Sequence, residues 1–142
     1  MENDQDNEKK LNILIIDDSQ SQRLLLQTFL KAFNVTEAES GVNALKILNN
    51  ETFDLIICDF EMPEMSGLDF AKEMKNHGGG NKGVPFIMCS ANPPAEGSLL
   101  KLQEIISNSF WVEKSNKALN LRQLIDKIVA DGLNDDTFDV TN

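Results

Sequence analysis

Short apolar runs alternate with amphipathic stretches five times along this chain, and that alternation does most to restrict what it can fold into. Leu11–Ile16, Phe53–Cys58, Val84–Cys89 and Phe110–Val112 are brief, apolar and mostly β-branched or aromatic. That is the pattern of parallel strands buried on both faces. Asn34–Ala38 reads as a weaker strand. Between them lie helical stripes. Leu121, Leu124, Ile125 and Ile128 follow i, i+3, i+4, i+7 spacing, and Leu99, Leu102 and Ile106 follow i, i+3, i+7. Leu26, Phe29, Leu30 and Phe33 form another stripe, Ala44, Leu45 and Leu48 a short one, and Leu68, Ala71 and Met74 a third. Ser19, Ser40 and Ser66 stand where helix N-caps are wanted, Gly78–Gly80 stops the third helix, and Pro93 and Pro94 precede the fourth. Five β-α units in a row predict an α/β fold, a parallel sheet with helices on both faces. Ligand sites in such sheets lie at the carboxyl ends of the strands.

The 142 residues suffice for one domain, expected over 11–130. Residues 1–10 and 131–142 are acidic tails, expected to be disordered, and hold much of the net charge of −10. A chain so acidic repels nucleic acid and anionic lipid, which argues against direct contact with either. No strictly apolar run is longer than Ile13–Ile16, and the N-terminus lacks the apolar stretch of a secretory signal. The expected location is therefore the cytoplasm, with Cys58 and Cys89 as reduced thiols. The single His77 removes most histidine-based metal and acid–base sites.

The chemistry lies where the strands end. Asp17 and Asp18 close the first, Asp59 the third and Ser90 the fourth, and Lys114 lies just past the fifth. Taken singly, each has a plainer reading: an acid or serine as cap or turn residue, a lysine as solvated surface. Four strand ends carrying these residues in this order are much harder to obtain by accident. Three carboxylates at one place repel unless a cation joins them. Oxygen ligands without imidazole or thiolate point to Mg²⁺ rather than Zn²⁺. Mg²⁺ and Lys114 would bring the cluster near neutrality, ready for a phosphoryl group whose oxygens need cations and a hydroxyl donor.

With these residues the chain resembles the receiver domain of two-component response regulators, the family of the chemotaxis response regulator. The resemblance rests on Ile13-Leu14-Ile15-Ile16-Asp17-Asp18-Ser19 and on Asp59-Phe60-Glu61-Met62-Pro63-Glu64-Met65-Ser66-Gly67. It continues through Ile87-Met88-Cys89-Ser90-Ala91 and Trp111-Val112-Glu113-Lys114, and covers roughly residues 11–130. It implies a flavodoxin-like, doubly wound five-stranded parallel sheet of order 2-1-3-4-5 with five flanking helices. It implies Asp59 as phosphoacceptor, taking its phosphoryl group from a histidine kinase or phosphotransfer protein. Asp18, Asp59 and the backbone carbonyl of Glu61 would ligate Mg²⁺, for which Mn²⁺ could substitute, and Asp17 would bind through water. Lys114 would pair with a phosphoryl oxygen. Ser90 would swing inward to another, and Trp111 would follow as the aromatic switch, read by a downstream protein on the fourth helix, fifth strand and fifth helix. Glu61 and Asn92 occupy the positions that tune phosphoryl lifetime in this family. Such a chain signals through protein contacts and catalyses only its own phosphorylation and dephosphorylation.

Several residues depart from the family pattern or stand outside it. Ser115 replaces the usual proline after Lys114. A cis bond before serine would cost about 2.5–4 kcal/mol, so a trans Lys114–Ser115 peptide is expected. Trp111 is bulkier than the usual Tyr or Phe, and its plainer reading is a core aromatic at the sheet edge. Cys58 and Cys89 are expected to pack against helices, away from the site. Gly78–Gly83 follows a helix and precedes a strand, the wrong order for a phosphate cradle, and reads as a flexible connector. His77 reads as a helix-end cation or a solvated side chain.

Two other functions compete. A haloacid-dehalogenase-like phosphatase also uses an aspartyl phosphate, Mg²⁺, a hydroxyl and a lysine, but wants an Asp-x-Asp nucleophile early and its acid pair late. The order here is reversed. A receiver that docks without phosphorylation is the second alternative, against which stands the full set of reactive side chains. Residues 131–142 are too few for an output domain, so the expectation is a stand-alone receiver or one cut from a longer regulator.

Overall fold

Three of the strands are apolar enough to be buried on both faces, and they occupy the middle of one sheet. The computed structural model describes residues 10–114 and 117–131, without the side chains of 117–120. The expected tails, apart from Lys10 and Asp131, and the Lys114–Ser115 peptide lie outside the described residues. The strands are β1 (Asn12–Ile16), β2 (Asn34–Ala38), β3 (Leu55–Asp59), β4 (Phe86–Ser90) and β5 (Ser109–Glu113). All pair in parallel, in the order β2-β1-β3-β4-β5. The helices are α1 (Gln20–Phe29), α2 (Gly41–Leu48), α3 (Gly67–His77), α4 (Ser98–Ile105) and α5 (Lys117–Ala130). This is the doubly wound, flavodoxin-like α/β architecture that the sequence implies.

Alternation along each strand divides the core in two. Leu14, Ile16, Ile56, Cys58, Phe86 and Met88 face α2, α3 and α4, meeting Ala44, Phe70, Met74 and Leu102. Ile13, Ile15, Leu55, Ile57, Ile87 and Cys89 face α1 and α5, meeting Leu26, Leu30, Leu121 and Ile125. Each fully buried Leu, Ile or Phe contributes roughly 1.5–3 kcal/mol of transfer free energy. Cys58 and Cys89 therefore lie on opposite faces. Burial pushes the Cys58 thiol well up, away from thiolate chemistry.

The caps stand where the serines are. Ser19, Ser40 and Ser66 accept hydrogen bonds from the backbone N–H groups of Gln22, Asn43 and Asp69, and Ser66 with Asp69 completes a capping box. The fourth helix departs from expectation: it begins at Ser98 behind Gly97, whose φ of 86° requires glycine, several residues after the proline pair.

The segment after α3 is a correction to the sequence reading. Gly78–Gly83 is no flexible connector, because Asn81 is fully buried in a 3₁₀ turn. Asn81 Oδ1 accepts from Phe53 N at 2.8 Å, and its amide donates to the carbonyls of Glu51 at 3.0 Å and Gly78 at 3.1 Å. The loop before β3 is thereby tied to the turn after α3. Asn81→Ala is expected to cost about 2 kcal/mol, since it leaves buried backbone groups without partners. Urea unfolding reads this directly, and an unchanged midpoint would count against the tie.

Candidate functional site at the carboxyl rim of the sheet

Parallel strands bring all their carboxyl ends to one rim. Asp17 follows β1, Asp59 ends β3, Ser90 ends β4, and Lys114 follows β5. Asp17, read as closing the first strand, instead follows it. Asp59 and Ser90 close their strands as the sequence reading has them, and both pair within the sheet, Ser90 opposite Glu113 and Asp59 opposite Cys89. Their backbones are fixed by the ladder, so their side chains are held by the sheet rather than by a loop.

The acids differ in exposure. Asp17 and Asp59 are 2% and 4% exposed, whereas Asp18 is open to solvent. One carboxylate oxygen from each of Asp17, Asp18 and Asp59 lies within 4.8 Å of the others. Lys114 Nζ reaches in to 2.8 Å from Asp59 Oδ1 and 3.6 Å from Asp17 Oδ2. The contact with Oδ1 is an ion pair off hydrogen-bond alignment, and that buried oxygen has no other partner among the described residues.

Local structure holds Asp17 from several sides. Its N–H donates to Ala38 O at 3.1 Å, and its Oδ1 accepts from Ser19 N at 2.9 Å. Arg23 Nη1 donates to Asp17 O at 2.7 Å, while Arg23 Nε donates to Glu37 Oε1 at 2.8 Å. The paired Arg23 holds the Glu37 carboxyl below its ordinary range. Sequence reasoning missed Arg23, which follows no apolar period and belongs to no strand end.

The charges at the rim are not balanced. Burial raises the Asp59 pKa, and the Asp17 charge adds to the rise, against the opposing contact with Lys114. Burial alone would lower Lys114, but its contact with Asp59 and the charges of Asp17 and Asp59 outweigh that and raise it. Acid and base alike hold their protons more firmly than in water. The rim is therefore negative even with its lysine in place, and further positive charge is favourable there. Three clustered carboxylates, a buried oxygen lacking an aligned donor and an all-oxygen ligand set fit a hard divalent cation such as Mg²⁺.

Ser90 and Trp111 are linked through one residue. Ser90 Oγ accepts from Asn92 N at 3.2 Å, and Trp111 Nε1 donates to Asn92 O at 3.4 Å. The Trp111 ring packs against Phe60, centroid to centroid 5.0 Å, on the half-buried border of the core. Glu61 and Asn92 are both exposed beside the rim, and the Glu61 backbone N–H reaches Asp59. His77 is solvated, 3.7 Å from Glu73.

The chain is similar to known proteins over most of its length. The response regulator receiver domain family matches residues 13–127. Chemotaxis protein CheY-3 of Vibrio cholerae is 31% identical over 123 residues, 84% of this chain and 92% of that protein. Among solved structures, the signal receiver domain of a histidine kinase from Syntrophus aciditrophicus superposes with a TM-score of 0.74 at 23% identity, covering 89% of this chain and 95% of that one. The response regulator TrrA from Thermotoga maritima, solved in complex with Mg²⁺ and BeF, superposes with a TM-score of 0.68 at 28% identity, covering 83% and 98%. With its fold, its acidic rim and these relatives, the chain belongs to the response regulator receiver domain family of two-component signalling.

Proposed function

We propose that Asp59 is the phosphoacceptor of a phosphorelay and that a histidine kinase or phosphotransfer protein is its donor. The observation that carries this reading is the buried Asp59 carboxylate, in contact with Lys114 inside a rim that favours added positive charge. Asp18, Asp59 and the Glu61 backbone carbonyl would hold Mg²⁺, with Asp17 behind them through water. When bound, the ion supplies neutralisation of charge on the phosphoryl oxygens.

The chain's own residues do the rest. An Asp59 oxygen bonds to phosphorus as the bond from phosphorus to the donor's imidazole nitrogen breaks. Lys114, already 2.8 Å from Asp59 Oδ1, takes a phosphoryl oxygen as its new partner. Ser90 now accepts from Asn92 N, which leaves its hydroxyl proton free to donate to another. Asn92 also holds Trp111, so a Ser90 movement that shifts Asn92 strains the Trp111 bond. The changed surface is that of α4, β5 and α5, where a downstream protein would bind. Glu61 and Asn92 stand where they tune phosphoryl lifetime, and the setting is a cytoplasmic signalling pathway without direct contact to nucleic acid or membrane. Among the described residues no helix is long and apolar enough to cross a membrane.

The test is intact mass after incubation with acetyl phosphate and Mg²⁺. One added phosphoryl group is expected, and its absence when EDTA replaces Mg²⁺. No adduct, together with no binding of beryllofluoride, would move the reading to a docking receiver that works without phosphate, with Ser115 the first residue to restore to proline.

A further inference from the structure

The acid pair after β1 is held from behind by a side chain that belongs to no strand. Arg23 stands at the end of the first turn of α1, where its own N–H donates to Ser19 O at 3.0 Å. Its side chain, only 13% exposed, spans two elements. Nη1 donates to Asp17 O at 2.7 Å, and Nε donates to Glu37 Oε1 at 2.8 Å. Gln27, one turn further along α1, donates to Glu37 Oε2 at 2.7 Å. Glu37 lies on β2 opposite Ile15 of β1, so both ends of this clamp rest on regular structure.

Asp17 O belongs to the peptide that joins Asp17 to Asp18. That peptide is a rigid plane, so turning it turns the Asp18 carboxylate with it. Asp18 depends on this more than Asp17 or Asp59 does. It is exposed and stands past the end of β1, so neither packing nor the ladder fixes it. Its backbone is held on one side by Arg23 at Asp17 O and on the other by Asp17 Oδ1 at Ser19 N. Charge bears on the same point. A bare guanidinium here would oppose a cation at the rim, whereas the pairing with Glu37 offsets it. The clamp fixes the carbonyl while adding no net charge.

We propose that Arg23, braced by Glu37, is a positioning residue that sets the aim of Asp18 and thereby the affinity of the acidic rim for a divalent cation. The role rests on the cation site proposed above. Groups one step behind metal ligands commonly change affinity by about 10- to 100-fold when removed. Arg23 and Glu37 line a surface cleft of about 330 Å³ with Gln20, Ser21 and Leu24. Shortening Arg23 enlarges a cleft already present and leaves both halves of the core intact.

Two charge-conserving changes separate position from charge. Arg23→Lys keeps the positive charge, but one ammonium cannot reproduce the fork that reaches Asp17 O and Glu37 together. Arg23→Ala combined with Glu37→Gln removes both charges at once. MgCl₂ is titrated into each full chain at constant ionic strength and read from the backbone amide resonances of Asp18 and Ser19, beside thermal melts in EDTA. Both variants are expected to need about tenfold more Mg²⁺ for half-saturation. Both should also move the Asp18 amide resonance before any Mg²⁺ is added. If the double variant melts too low to titrate, Arg23→Lys decides. Native half-saturation in a folded variant, even with a lower melting temperature, would overturn the proposal, because Arg23 would then only brace the fold. Equal Mg²⁺ uptake by all three chains removes the role of Arg23 and leaves the cation site standing. No uptake by the native chain overturns both.

Discussion

Asp59→Asn is expected to abolish phosphoryl uptake and, with metal chelated, to raise the stability of the fold at neutral pH. The first effect follows because an amide is no nucleophile toward phosphorus. The second follows from the direction in which the fold moves this group. Burial, with Asp17 beside it, raises the Asp59 pKa in spite of Lys114. A carboxyl raised in the folded state contributes stability in its protonated form. That contribution is present below the unfolded pKa and is lost as pH rises through the folded one. At neutral pH the charged group opposes folding, whereas Asn keeps its shape and carries no charge. Lys114 loses one partner in the variant but retains Asp17 at 3.6 Å. Thermal melts in EDTA should therefore place the variant above the native chain at neutral pH, with the two converging in acid. A variant less stable at neutral pH would mean that the pairing with Lys114 outweighs the buried charge.

Gly67→Val should be the more damaging substitution. A Cβ at Gly67 would stand 2.6 Å from Asp59 O and 3.0 Å from Phe60 Cα, both backbone atoms, and against the Met88 sulfur. A thioether can swing aside; the backbone at the end of β3 cannot move without disturbing the ladder to β4. The first turn of α3 is also fixed to this strand by Gly67 N donating to Phe60 O at 2.8 Å. Overpacking of this kind costs about 3 kcal/mol or more, offset by no more than about 1 kcal/mol of helix propensity. The expected result is a large drop in the urea midpoint together with slower phosphoryl uptake. A native midpoint would mean that the loop after β3 is far softer than its contacts imply.

The sheet was legible because β1, β3 and β4 are buried on both faces and so read as unbroken apolar runs. Even the half-exposed β2 was placed at Asn34–Ala38, between a helical stripe and a serine cap. Strand starts were less legible. Phe53 and Val84 are apolar but precede the ladder, and Phe53 N bonds to Asn81 instead of to a neighbouring strand. Asn81 itself gave no signal, since its partners Glu51 and Phe53 are far off in sequence and a buried amide looks like any loop asparagine. The rim was legible for the opposite reason: each of its residues closes or follows a strand, and parallel topology brings those ends together. What sequence order could not supply was side-chain direction, such as the bond from Trp111 to Asn92 or the reach of Arg23 to the Asp17 carbonyl.

The order of the strands also gives the proposed switch a direction. Asp59 stands on the central strand, Ser90 on the next and Trp111 on the margin. Neighbouring strands lie about 4.8 Å apart, so news of an event at the acceptor has about 10 Å to travel, sideways across the grain of the sheet. The proposed switch would need no strand to slide along its own axis, and the opposite margin at β2 would carry none of the message. Under that proposal the sheet would be a lateral relay with one outlet, its speed set by two side chains and a loop rather than by the rigid core beneath them.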